Sequence, residues 1–182
     1  MSSLEALYQQ VILDHARERH GHGLDLGQVA GPGAHATDGG GLAASSRQYN
    51  PLCGDEVTVR LEVRDGATGQ EVVGLSWAGD GCSISQAATS VLHDLVLGRP
   101  VEQARSILGD YRVMLRSRGE AAPDEQVLGD AVAFAGVGRH ANRVKCAMLG
   151  WTAFEDALLQ TEAAASGRGD RREGRNSEGD TQ

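Results

Sequence analysis

Cysteine is scarce in this chain and long apolar runs are missing. Its 182 residues include three cysteines, an odd and widely spaced set. This argues against a disulfide framework and leaves metal ligands, a nucleophile or inert core thiols. No stretch approaches the roughly eighteen apolar residues of a membrane span. The N-terminus, M-S-S-L-E-A-L-Y-Q-Q, lacks the basic and then apolar pattern of a signal peptide, so we expect a cytoplasmic protein with no membrane partner.

Positive charge is also in short supply. The formal net charge is -8, and the last residues from Ala165 contribute none of it, since their arginines are balanced by acidic residues. The rest of the chain is acidic and has no basic stripe, which argues against a nucleic-acid partner. Hydrophobic residues make up 40% and charged residues 23%, as is usual for a globular domain.

The first half of the chain predicts one helix and a small sheet. Apolar residues at helical spacing predict a helix over residues 3–18, and the glycine-rich segment 21–46 is interpreted as a surface loop. E-V-T-V-R-L-E-V-R, from Glu56, alternates strictly and predicts a half-buried strand. E-V-V-G-L-S-W-A predicts its antiparallel partner, and S-R-Q-Y-N before Pro51 suggests a short third strand.

Helical patterns follow Cys82 and continue into A-N-R-V-K-C-A-M-L-G-W-T-A-F-E-D-A-L-L-Q. Residues 165–182 offer almost nothing to bury and are predicted to be a disordered tail. We therefore predict a single α+β domain over residues 1–164. It has an N-terminal helix, an antiparallel sheet of about three strands and several C-terminal helices.

The three cysteines and one aspartate form a candidate metal site. Cys53 and Asp55 flank Gly54 at a strand edge, Cys82 immediately precedes a predicted helix, and Cys146 lies inside the last helix. Three thiolates and a carboxylate suit tetrahedral zinc. The competing interpretation is three buried cysteines and a surface aspartate, because free cysteine is commonly buried and no C-x-x-C pair is present.

Charge and histidine placement add two expectations. A zinc ion with these four ligands carries a formal charge of -2, so a nearby cation is expected. Arg143 is the candidate, because it lies three residues before Cys146 on the same helical face. The alternative is that Arg143 is a solvated surface residue. The histidines show no paired ligand spacing, so we expect surface or capping roles for all of them: His15, His20, His22, His35, His93 and His140.

The cysteine contexts resemble one known family. N-P-L-C-G-D-E-V-T, G-D-G-C-S-I-S-Q-A-A-T-S and R-V-K-C-A-M-L-G-W are similar to the three cysteine motifs of the SufU family, zinc-binding sulfur acceptors with the IscU-like fold. The resemblance implies zinc on Cys53, Asp55, Cys82 and Cys146. It also implies that Cys53 accepts persulfide sulfur from a SufS-type cysteine desulfurase, which uses pyridoxal phosphate, and passes it to a downstream Suf scaffold complex for iron–sulfur cluster assembly.

Two alternatives stay open beside this hypothesis. The related IscU scaffold builds a cluster on similar ligands, but it has a histidine where this chain has Lys145, a poor ligand when protonated. A structural zinc module without thiol chemistry is the second alternative. On the SufU interpretation the protein is a sulfurtransferase partner of a desulfurase rather than a stand-alone enzyme.

Overall fold

Four antiparallel strands and five α-helices occur in the part of the chain that the computed structural model describes, residues 3–67, 69–120 and 122–176. The N-terminal helix, α1 (Ser3–Glu18), has the predicted bounds. It exposes much of its surface, and its partly buried Tyr8 and Ile12 pack against the core.

The sheet is a meander of four strands rather than the three predicted. The strands are β1 (His35–Ala36), β2 (Leu42–Asn50), β3 (Asp55–Gly66) and β4 (Gly69–Asp80), and they are ordered β1-β2-β3-β4. In β3 the predicted inward residues Val57, Val59, Leu61 and Val63 are all buried, but Thr58 on the opposite face is buried as well, so the alternation holds only in part.

The glycine-rich segment 21–46 is not a continuous loop, which corrects the prediction. It contains a short 3₁₀ helix at Leu26–Gln28, the two-residue strand β1 and the first residues of β2. The beginning of β2 pairs with the end of β3, since Leu42 lies opposite Val63. Small residues such as Ala43 and Ala44 are fully buried there, and their weak hydrophobic pattern hides the strand in the sequence.

The remaining helices follow the sheet. Their bounds are α2 (Ser83–Val96), α3 (Val101–Arg116), α4 (Glu125–Leu128), a run of 3₁₀ turns (Gly129–Arg139) and α5 (Ala141–Asn176). None of the described helices is long and apolar enough to cross a membrane.

The core lies between the sheet and the helices. Helix α5 packs on β2 and β3, while α2 packs between α5 and α1. Tyr111 of α3 stacks on Trp151 of α5 at 4.1 Å between ring centroids, and both side chains are fully buried. This arrangement brings the N-terminus of α2 and the first turns of α5 to the end of the sheet at which the β2–β3 turn lies.

The end of α5 differs from the predicted tail. Its helical backbone continues from Ala165 to Asn176, where the sequence predicts disorder, and residues 177–182 lie outside the described part. Extending an existing helix avoids the cost of nucleation, and the alanine, arginine and glutamate residues of this segment are good helix formers, although its three glycines oppose the helix.

Candidate metal centre

The turn between β2 and β3 presents the first two candidate ligands. Asn50 and Asp55 are the last pair of this antiparallel ladder, and Cys53 lies in the turn between them. Gly54 has φ 78°, a conformation that glycine adopts without steric cost. The turn leaves Cys53 exposed, whereas Asp55 is only 4% exposed.

Cys82 occupies the N-cap position of α2, with extended backbone angles of φ -67° and ψ 164°. Its backbone N–H donates a hydrogen bond to Asp55 Oδ1 at 3.2 Å, which ties the helix to the β2–β3 turn. Its exposed thiol lies 3.8 Å from Ser85 Oγ.

Cys146 lies near the start of α5 and closes the group from the helical side. Its side chain is 6% exposed, and its Sγ lies 3.6 Å from Sγ of Cys53. Donor atoms of Cys53, Asp55 and Cys146 all lie within 4.8 Å of one another. The thiol of Cys82 is not in that close group, but it lines the same cavity of about 490 Å³ as Cys53 and Cys146.

The donors fit a metal ion on observations of this structure. Asp55 Oδ2 is buried and has no hydrogen-bond partner among the described residues, although an unsatisfied buried carboxylate oxygen is costly. A Cβ built on Gly81 would lie 2.9 Å from the Asp55 carboxyl carbon, so the backbone passes close to the ligand at this point. Three sulfur donors and one oxygen are a set that zinc accepts.

The pKa values of Asp55 and Cys146 are shifted in opposite directions. Burial opposes ionisation of Asp55, but the Cys82 backbone N–H that donates to Oδ1 and the nearby polar side chains of Cys82, Ser85 and Cys146 outweigh it and hold the pKa of Asp55 below its usual value. Burial raises the pKa of the Cys146 thiol strongly, and the neighbouring Cys53, Cys82 and Asp55 raise it further. Ionising Cys146 beside Asp55 would bring negative charges together, and a divalent cation would offset that cost.

The two basic residues near Cys146 lie on different sides of α5. Arg143 lines the cavity that contains the three cysteines. Lys145 instead lines the grooves beside Met148 and Thr152, away from the thiols. The position of Arg143 agrees with the expected role as a cation beside the centre, and that role stays a prediction.

Two neighbours of the centre were not predicted from the sequence. The Asn50 amide lies 3.8 Å from Cys146 Sγ, and its Oδ1 accepts the Leu52 N–H at 3.2 Å. Ser85 donates its hydroxyl hydrogen to Cys82 O at 2.9 Å. Asparagine before proline is a signal for a turn of this kind, so the structural role of Asn50 was within reach of sequence reasoning. Its contact with Cys146, which lies 96 positions later, could not be predicted from the sequence.

Comparison with known proteins identifies the family. Residues 7–147 match the NifU-like N-terminal domain. The chain belongs to this family. It is 30% identical, over 90% of each chain, to the iron–sulfur cluster assembly scaffold protein IscU of Streptococcus pyogenes serotype M1. It is 29% identical to the zinc-dependent sulfurtransferase SufU of Bacillus subtilis strain 168, over 88% of this chain and 95% of the relative.

A solved structure supports the same assignment. The crystal structure of a nitrogen-fixing NifU-like protein (N-terminal) from Brucella abortus matches with a TM-score of 0.66 at 26% identity, over 89% of this chain and 99% of the other. The predicted family and the predicted IscU-like α+β fold are thereby confirmed, apart from the fourth strand.

Proposed function

We propose that this protein accepts persulfide sulfur from a cysteine desulfurase on Cys53 and carries it toward iron–sulfur cluster assembly. Its family and its similarity to IscU and SufU proteins indicate iron–sulfur cluster assembly in general terms. The transfer step, its acceptor residue and the ligand set are our proposal.

The contrast between Cys53 and Cys146 carries the proposal. The two sulfur atoms are 3.6 Å apart, yet Cys53 is exposed on a turn and Cys146 is buried in a helix. A thiol that must reach a partner's active site belongs on such a turn, while a fixed ligand belongs on a rigid, packed element. The geometry therefore favours Cys53 as the acceptor.

The proposed reaction is a thiolate exchange at sulfur. The Cys53 thiolate attacks the terminal sulfur of the persulfide on the desulfurase cysteine and forms a new S–S bond. The original S–S bond breaks, and its electron pair leaves with the desulfurase thiolate. Cys53 ends as a persulfide, the desulfurase cysteine returns to its reduced form, and no external oxidant or reductant is needed.

Zinc is the metal that the donor set fits, and Cys53, Asp55, Cys82 and Cys146 are the residues that would hold it. When bound, it favours the deprotonated thiols at neutral pH, against the burial that raises the pKa of Cys146. The chain itself contributes the fixed positions of Asp55 and Cys146 and the exposure of Cys53. Arg143, which lines the same cavity, would offset the excess negative charge.

A cluster scaffold is the second candidate, and one relative bears that name. Three sulfur donors at one cavity also suit an iron–sulfur cluster. Metal content separates the two functions, because zinc proteins are colourless and clusters are brown. A structural zinc module, the third candidate, would hold zinc but accept no sulfur.

The test combines metal analysis with a desulfurase assay on the same air-free sample. We expect about one zinc per chain, no visible absorption, and faster turnover of free cysteine by the desulfurase when the protein is present. Cys53→Ser should abolish this stimulation and keep much of the zinc, whereas Cys146→Ser should lose both. A stoichiometric brown cluster would replace our proposal with the scaffold, and zinc without stimulation would leave the structural module.

A further inference from the structure

A second group of metal-ligand side chains lies at the other end of α2. His15 from the last turn of α1, His20 from the segment that follows and Asp94 from the last turn of α2 each place one donor atom within 4.8 Å of the other two. A helix rises about 1.5 Å per residue, so Asp94 lies about 18 Å from Cys82 along α2. The two groups of donors are therefore separate.

The carboxylate and the exposed histidine of this group are held in position by outer partners. Asp94 Oδ2 lies 2.6 Å from His20 Nδ1, and the other oxygen, Oδ1, lies 3.0 Å from Nδ1 of His93. The far nitrogen of His20, Nε2, lies 3.0 Å from Glu18 Oε2. Metal-binding histidines commonly donate the N–H that faces away from the metal to a carboxylate in this way, which fixes the ring and its tautomer.

Both ring nitrogens of His15 also have hydrogen-bond partners. Its Nδ1 lies 2.9 Å from Ser90 Oγ and its Nε2 lies 3.1 Å from Asp130 Oδ2. Whichever ring nitrogen faces a cation, the other one keeps a hydrogen-bond partner. Ser90 also accepts the backbone N–H of His20 at 2.9 Å, which connects the two histidines through one hydroxyl group.

We propose that His15, His20 and Asp94 form a second, exchangeable binding site for a divalent first-row transition-metal cation. Two imidazoles and one carboxylate are ligands that Zn²⁺, Co²⁺ and Fe²⁺ accept, and calcium and magnesium prefer oxygen alone. The cation replaces the proton shared between His20 Nδ1 and Asp94 Oδ2.

The negative charge around these residues and their exposure to solvent both favour cation binding. Asp94, Glu18 and Asp130 place three carboxylates around the two histidines, so the site attracts a cation. The side chains of His20 and Asp94 are 37% and 42% exposed. Solvent therefore reaches the ligands, and three protein donors leave coordination positions for water.

Cobalt distinguishes this site from the cysteine centre by its spectrum. Co²⁺ is added to the zinc-loaded protein at about pH 8, where protons compete less with the cation for imidazole nitrogens. We expect one further equivalent to bind with weak d–d absorption and without the intense sulfur-to-cobalt charge-transfer band of thiolate ligation. The imidazole NMR signals of His15 and His20 should broaden or shift, because the ion is paramagnetic.

Variants of the exposed ligands test the assignment without disturbing the buried His15. His20→Ala and Asp94→Asn should each weaken cobalt binding by more than about tenfold, since even outer partners of a ligand are worth that much. His140→Ala, which removes an exposed histidine outside the group, should bind cobalt like the parent. The proposal is overturned if no further cobalt binds, if cobalt appears only with the thiolate band, or if His20→Ala and Asp94→Asn bind it unchanged.

Discussion

Gly150 of α5 lets the helix approach α2 closely, and replacing it should disturb both the fold and the metal centre. A Cβ at this position would lie 2.2 Å from Thr89 Oγ1 and 2.9 Å from Thr89 Cβ. Thr89 is fully buried and donates a hydrogen bond to Ser85 O at 2.8 Å, so it has little room to move. Gly150→Ala should therefore force the two helices apart.

The magnitude follows from two opposing effects. Alanine gains about 1 kcal/mol of helix propensity over glycine, whereas overpacking of a buried contact costs about 1–3 kcal/mol. Since three atoms of Thr89 fall below ordinary van der Waals distances, we place the overpacking cost at the upper end of that range and expect a net loss of about 2 kcal/mol. That corresponds to a fall of about 4–8 °C in melting temperature for a domain of this size.

The displacement should also reach the candidate ligands. Cys146 lies one turn before Gly150 on α5, and Cys82 lies two turns before Thr89 at the N-terminus of α2. Separating the helices at their contact moves both cysteines relative to one another. We therefore expect faster loss of zinc to a chelator in Gly150→Ala than in the parent.

Gly109 on α3 provides the matched control. A Cβ there meets no atom of the described residues within 4 Å, so Gly109→Ala should raise stability by about 1 kcal/mol and leave zinc retention unchanged. Adding Thr89→Ala to Gly150→Ala should recover part of the loss, because the substitution removes Oγ1 and Cγ2, two of the three obstructing atoms, and leaves only Cβ. The reasoning is refuted if Gly150→Ala and Gly109→Ala melt alike, or if the Thr89→Ala change brings no recovery.

Three further outcomes are expected. Asp55→Ala should keep the fold but lose zinc faster to a chelator and stimulate the desulfurase less; parental values for both would remove Asp55 from the ligand set. In metal-free buffer, Asp94→Asn should lower the pKa of His20, measured by NMR, toward the ordinary 6.5, because the hydrogen bond that His20 donates to Asp94 is the largest cause of its raised value. Because the pKa of His20 is raised in the folded state, its protonation stabilises the fold fully below the unfolded-state pKa of about 6.5. This stabilisation is lost as the pH rises through the folded-state pKa. Asp94→Asn should therefore cost more stability near pH 6 than near pH 9, and equal losses would contradict this. Deleting the residues after Ser166 should leave the melting temperature and desulfurase stimulation unchanged, and a drop of several degrees would show that the removed segment packs on the domain.

Elements with a strong local pattern could be predicted from the sequence. The alternation in β3 reports directly on one buried face, and the helical spacing predicts the bounds of α1, although Leu4 and Leu7 of its apolar stripe are exposed. The beginning of β2 could not, because Leu42, Ala43 and Ala44 are buried together and their small side chains resemble a loop. The short β1 depends on pairing with β2, and so on tertiary context.

Part of the candidate site could also be predicted from the sequence, and part of the metal-ligand chemistry could not. Cys53 and Asp55 share one turn, so their proximity was predictable, and the motif contexts indicated Cys82 and Cys146. The group at His15, His20 and Asp94 was missed, because its members have no ligand spacing in sequence and meet only when α1 packs against α2.

The sulfur that Cys53 is proposed to accept can be measured directly. The protein is incubated with the desulfurase and free cysteine, the thiols are alkylated, and peptides are analysed by mass spectrometry. We expect one added sulfur on the peptide that contains Cys53, and none on it when cysteine is omitted. Added sulfur on Cys82 or Cys146 instead, with Cys53→Ser still stimulating the desulfurase, would contradict the account.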